Sequence, residues 1–287
     1  MIDYDPHHWR DTLFALRGSM LQAILARVSI AMVFALGITA IHYWVVPISI
    51  PEAATGHSLI GPALGLLLVF RTNSSYDRWW EGRKLWGSIV NTSRNLARAV
   101  SVHLTHDPDR MRRILVLAAA WPYAAKDVLR QRPRLPEGLD PRDIALLEGA
   151  QHIPTAIAAR MTALLNEVRV EGKLTDIVFT DIDDNCQQLV DLIGACERIH
   201  KTPLPFAYAV HLRRALILFC ATLPFALLAR FGVWACLITL IVSYIMFGIE
   251  EIGVEIEDPF EGDDNDLPLD RLCDGIAANV LAFVPKP

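Results

Sequence analysis

Between Ser58 and Arg98 an apolar run, SLIGPALGLLLVF, passes directly into RTNSSYDRWWEGRKLWGSIVNTSRNLAR with no Gly or Pro break between the two halves. One helix therefore leaves an apolar medium and continues into water. A helix that crosses a bilayer needs roughly 20 apolar residues, and this one has too few before Arg71 to live wholly against lipid. It should line protein or water.

Composition agrees with a chain that lives in both media. It is 53% apolar with a mean hydropathy of +0.31, yet 21% charged, too apolar for an ordinary soluble domain and too charged for a chain that is all membrane. Met1 to Asp11 holds acids and no apolar core, unlike a cleaved leader, so the N-terminus is expected to be native and cytoplasmic. Four spans are predicted, at about 21–46, 58–80, 206–229 and 231–250. Only Arg230 and the adjacent Phe231 and Gly232 can turn the chain between the last two. The loop Pro47–His57 has no Lys or Arg, whereas 71–214 carries 21 of the 27. By the excess of basic residues on the inner side, both termini and the region 81–205 are assigned to the cytoplasm, followed by an acidic C-terminal segment, 251–287.

The stretches IVNTSRNLARAVSVHL, RMRRILVLAAAWPYAAKDVL, DIALLEGAQHIPTAIAARMTALLNEV and FTDIDDNCQQLVDLIGACERIH each place apolar residues at three-four spacing. RQRPRLPEGLDP and HKTPLPF separate them. The fold class is thus all-α: a polytopic membrane protein with four transmembrane helices and a helical cytoplasmic region continuous with them.

Nucleotide, metalloprotease and serine-hydrolase motifs are missing, and the five cysteines include no CxxC pair, which suits reduced thiols. Asp181, Asp183 and Asn185 imitate the start of a calcium loop, but Cys186 stands where glycine is needed and Leu192 where the bidentate Glu belongs. No cofactor or metal is expected. A net charge of −5 speaks against nucleic acid. Within the predicted spans Arg27 and His42 are too few for an enzyme site.

Two constellations remain. Across the end of the second predicted span, Asp77, Arg78, Glu81, Arg83 and Lys84 interleave with Trp79 and Trp80, denser than an interfacial aromatic belt requires. After the fourth comes EEIGVEIEDPFEGDDNDLPLD, in which Glu257, Asp258, Asp263, Asp264 and Asp266 lie on a chain turned by Pro259, Gly262 and Pro268. Such turns can gather carboxylates around backbone N–H groups, basic partners or a cation.

FRTNSSYDRWWEGRKLWG and IEDPFEGDDNDLPL, with GACERIHKTPLPFAY before the third span, resemble the signature segments of the bestrophin family in its bacterial branch, in matching order over most of the chain. The resemblance implies a homopentamer around one central pore in the inner membrane, with other copies of the chain, the lipid bilayer and permeant monovalent ions as its partners. It carries the family's hydrophobic neck onto Pro62, Leu66 and Phe70. Positions i, i+4 and i+8 share a helix face, so three residues would make three stacked rings. Pro62 departs from the larger apolar residue usual there and is read as marking the first turn of the helix. Gly61 and Gly65 form a GxxxG that predicts close helix approach. A cytoplasmic constriction maps to Thr180, where relatives commonly carry an aliphatic side chain. The acidic turn corresponds to the calcium clasp of animal members, but its pattern is not their unbroken acidic run.

An apolar neck gates by dewetting. Aromatic rings with positive edges suit anions, and this chain offers only Phe70 among many acids. Monovalent cations, sodium-like, are therefore favoured, with chloride as the alternative. A membrane receptor or scaffold that uses the helical bundle to hold a partner is the alternative of another class.

Overall fold

The apolar run that begins at Ser58 does not stop where charge begins. In the computed structural model, which describes residues 7, 13, 15, 18–50 and 52–284, it belongs to one uninterrupted helix of 51 residues, Ala53–His103. All regular structure among the described residues is helical. In chain order the helices are α1 (Leu21–Trp44), α2 (Ala53–His103), α3 (Pro108–Leu129), α4 (Pro141–Leu147), α5 (Ile153–Val170), α6 (Asp176–Lys201), α7 (Phe206–Phe231), α8 (Trp234–Glu255) and α9 (Leu269–Leu281). The reading of Met1–Asp11 lies outside the described residues except for His7.

Two compact units divide the chain. The first takes residues up to Trp79, then Pro203–Asp258 and Asp263–Asn265; the second takes Trp80–Thr202, Pro259–Gly262 and the residues from Asp266 onward. α2 contributes to both.

In the first unit α1 packs on α7 and α8, and α7 packs on α8. Ile24 and Val28 from α1, Leu64 and Leu68 from α2, Leu212, Leu216 and Phe219 from α7 and Phe247 from α8 close a buried core. α1, α2, α7 and α8 are each long and apolar enough to cross a membrane. The apolar surface of α1 that the core does not use stays outside, with Leu25 and Val33 more than half exposed. α2 is the extreme case: 11% of its most apolar 18-residue window is buried, against 44% for α7. Gly232, at φ +54, makes the turn between α7 and α8, a backbone region that glycine enters without steric cost. Arg230 and Phe231 belong to α7 itself.

The second unit is a bundle in which α3 contacts α5, α6 and α9, and α5 contacts α4 and α6. Short polar side chains set its helix starts. Asp107 accepts from the Arg110 N–H ahead of Pro108, and Asp140 accepts from the Arg142 N–H ahead of Pro141, satisfying donors that a first turn leaves open. Trp121 is fully buried and donates to the Pro154 carbonyl at 2.9 Å.

Several expectations need correction. Pro62 lies inside α2, nine residues beyond its start, and not in the first turn; the missing N–H costs one backbone bond, and the helix runs on through it. A side-chain carbon at Gly61 would meet the Phe219 ring of α7 at 3.7 Å, and among the described residues nothing lies within 4 Å of one at Gly65, so within one chain only the Gly61 half of this GxxxG faces another helix. The stretch 143–168 is two helices, because Gly149 turns at φ +79 and His152 caps a new start. The segment 251–287 is not all acidic turn: Leu269, Cys273, Ile276 and Val280 make the buried face of α9, a three-four pattern present in the sequence and obscured by the acids before it.

Candidate functional site

α2 in the first unit has two unlike faces. Leu64 and Leu68 are 3% and 1% exposed, whereas Leu66 and Phe70 are 55% and 56% exposed. Pro62 shares the outward face, which continues through Asn73, Ser74 and Asp77. Two large apolar side chains one helical turn apart and half bare form a surface that a single chain leaves without a partner. The three residues read as a neck thus stand on one open face.

Where that apolar stretch ends, α2 turns a buried charge inward. Arg71 is 1% exposed, and its Nη1 lies 3.3 Å from the Glu250 carboxylate, itself 1% exposed. Glu250 also accepts from Arg27 Nη1 at 3.0 Å and from Arg213 Nε at 2.9 Å. Arg27 pairs further with Glu251, and Arg71 Nη2 lies 3.6 Å from Glu257. One acid on α8 therefore gathers cations from α1, α2 and α7. A side chain at Gly253 would meet Arg71 Nε at 3.3 Å, and Ser75 Oγ donates to the Gly253 carbonyl at 2.6 Å; a glycine is what admits the guanidinium here. Sequence reasoning placed Arg27 within the first span and Arg71 at the end of an apolar run, and missed that they meet Arg213 and Glu250. The sequence places all four at the side assigned to the cytoplasm, but does not say which of them pair.

The charged and aromatic cluster divides. Arg78 Nε donates to the Glu257 carbonyl at 2.9 Å, and Trp79 Nε1 donates to the Asn265 carbonyl at 3.3 Å. Those bonds join α2 to the turn after α8, through backbone oxygens and not through carboxylates. Glu81 pairs with Arg198 at 2.7 Å on the surface. Trp80 is exposed. Asp77, Arg83 and Lys84 form no ion pair among the described residues.

The acidic residues have separate duties. Glu257 accepts from the Leu204 N–H at 2.8 Å, and buried Asp266 accepts from the Gly262 N–H at 2.6 Å, which ties the turn across its glycine. Asp263 is exposed and Asp264 half-buried. Pro259 and Phe260 lie over Gly82, where a side-chain carbon would come within 2.8 Å of the proline ring. Asp270, at the start of α9, accepts from Lys126 at 2.8 Å and Arg130 at 2.9 Å. The Lys126 hydrogen bond, then that of Arg130, outweighs desolvation and holds this carboxyl below its usual range.

Thr180 is exposed near the start of α6 and donates to the Asp176 carbonyl at 3.0 Å. Ile177, Asp181 and Asp184 share its open face. Elsewhere in the bundle Asp143 is held by Arg113 at 2.6 Å and Arg160 at 2.7 Å. Cys186, Cys196 and Cys273 are buried free thiols that desolvation pushes up to about 12, which makes them inert.

Membrane-length apolar helices among the described residues, an open apolar face on the longest and a buried ionic cluster where that face ends define a helical membrane protein. The description "Bacterial/Fungal Bestrophin protein" belongs to the family profile that matches residues 1–282. The chain belongs to the bestrophin family. It is similar to a voltage-dependent anion channel-forming protein of Nostoc, 41% identical over 95% of this chain and 91% of the relative. A protein of the same description from Synechocystis is 39% identical over 98% and 94%, and the Escherichia coli K12 protein of that description is 32% identical over 98% and 93%. Among solved structures, a bacterial bestrophin homologue from Klebsiella pneumoniae superposes with a TM-score of 0.82 at 30% identity, covering 92% of this chain and all of the other.

Proposed function

We propose that the protein is a passive ion channel of the inner membrane, assembled from five copies with α2 innermost. The observation that carries this reading is the outward face of α2: Leu66 and Phe70, half exposed in one chain, become stacked apolar rings once copies surround an axis. Membership of the bestrophin family supports it. A narrow apolar ring lets water and ions through only when it wets, so Pro62, Leu66 and Phe70 act as the gate. Thr180 acts as a second, wetter constriction. α1, α7 and α8 are the other spans, and both termini are cytoplasmic.

The sign of the permeant ion has two readings, each with its own support. The relatives from Nostoc, Synechocystis and Escherichia coli are named as anion channel-forming proteins, and that favours an anion such as chloride. The expectation of monovalent cations draws no support from those names. It keeps one observation of its own, the exposed acids Asp181 and Asp184 beside Thr180, which would attract cations to that part of the pathway.

Recording from the purified protein in planar bilayers under an asymmetric salt gradient tests both levels. Unitary currents are expected from a channel, and their absence in protein of verified assembly would leave a receptor or scaffold. The reversal potential then gives the sign. Mass measurement in detergent is expected to give five copies; a monomer or dimer would overturn the assembly.

A further inference from the structure

A cavity of about 660 Å³ opens in the first unit between the start of α1, the middle of α2 and the end of α8. It has no part in the neck. Ile249 and Ile252 of α8 and Ile24 of α1 form its apolar side. Gly248 deepens it, since a side-chain carbon there would meet only Ile24, at 3.8 Å. Three aromatic rings line it as well: Tyr76 and Trp79, stacked with centroids 6.4 Å apart, and half-exposed Tyr244. One carboxylate completes the lining. Glu255 accepts a hydrogen bond from the Asn265 side chain at 3.3 Å, and no Lys, Arg or His pairs with it among the described residues. Its neighbours Glu250, Glu251 and Glu257 each have an arginine within 4.0 Å.

We infer that this cavity binds the ammonium headgroup of a membrane lipid, of the phosphatidylethanolamine class, with Glu255 and the faces of Tyr76, Trp79 and Tyr244 as its receptor. An ammonium beside a carboxylate and over aromatic faces gains charge and quadrupole attraction together. The isoleucine side favours a lipid over a free amine. Ile245 and Ile252, 48% and 43% exposed, carry it along α8, so an acyl chain can leave the cavity without crossing water. The cavity sits where the apolar run of α8 gives way to its glutamates, the level at which headgroups lie. The inference rests on the reading of α1 and α8 as spans and is independent of conduction.

The assembled protein, purified and exchanged into detergent doped with phosphatidylethanolamine or with phosphatidylglycerol, is weighed intact by native mass spectrometry. Wild type is expected to retain phosphatidylethanolamine over phosphatidylglycerol. Glu255→Gln is expected to lower that preference on the order of tenfold, the loss of one charged contact. Gly248→Leu, which fills the cavity with an apolar side chain and alters no charge, should abolish it in protein of unchanged assembled mass. Equal retention of the two lipids, or an unchanged preference in both variants, would overturn the inference. So would an n-octylammonium probe that displaces the lipid at equal concentration, since the site would then be one for free amines. Retention of neither lipid would overturn it too, whereas failure of the membrane reading would show separately, as a protein that stays soluble and assembled once detergent is removed.

Discussion

Removing Glu250 should damage the protein more than removing Arg71, although both side chains are equally buried. Among the described residues Glu250 is the one acid within reach of all three of Arg71, Arg27 and Arg213, at 3.3, 3.0 and 2.9 Å. In Glu250→Ala the exposed arginines can turn to water, Arg27 being 38% and Arg213 54% exposed. Arg71 cannot. It is left buried with Glu257 at 3.6 Å, and stranding one member of a buried pair costs about 3–5 kcal/mol. Arg71→Met leaves Glu250 with two guanidinium partners and replaces a buried cation by an apolar chain of similar length, so its cost should stay below about 2 kcal/mol. Thermal unfolding in detergent reads the difference: at about 2–4 °C per kcal/mol, Glu250→Ala should melt at least ~6 °C below wild type. The double variant should recover part of that loss, because the stranded charge is gone and the two substitutions couple. If Arg71→Met costs as much as Glu250→Ala, or if the double variant is the sum of the singles, Glu250 is not the hub of the cluster.

Three further outcomes are expected. Leu66→Ala and Phe70→Ala should each raise open probability in single-channel records by wetting the neck; wild-type gating in both would place the constriction elsewhere. Gly82→Ala gains about 1 kcal/mol of helix propensity but sets a carbon 2.8 Å from Pro259, overpacking that costs about 1–3 kcal/mol; chemical denaturation should show net destabilisation, relieved when Pro259→Ala is added. For Asp143, desolvation raises the carboxyl pKa, but hydrogen bonds from Arg113 and Arg160 prevail and the net shift is downward. A lowered folded-state pKa gives stability that is complete above the unfolded value of about 3.9 and is lost as pH falls through the folded one. Asp143→Asn should flatten that acid limb in a stability-against-pH series, and an unaltered limb would assign it to other carboxylates.

Periodicity and punctuation in the sequence were enough for most of the helices, for α2 running unbroken from apolar to charged residues, and for the common face of Pro62, Leu66 and Phe70, because each is a local property of spacing. The family was legible too, in FRTNSSYDRWWEGRKLWG and IEDPFEGDDNDLPL. What failed locally had local causes: α9 was hidden behind the acids of its own first turn, and the break at Gly149 looked like continuing helix because the apolar spacing persists across it. Tertiary structure alone decided the pairing of charges. Arg71 and Glu250 are 179 positions apart in sequence, and nothing in either neighbourhood says that three arginines converge on one acid while Glu255, five residues on, meets only an amide among the described residues. Spacing determines which face a side chain takes on its own helix. Which charge it meets depends on how separate helices pack, and that is set by the sum of the apolar contacts in the core.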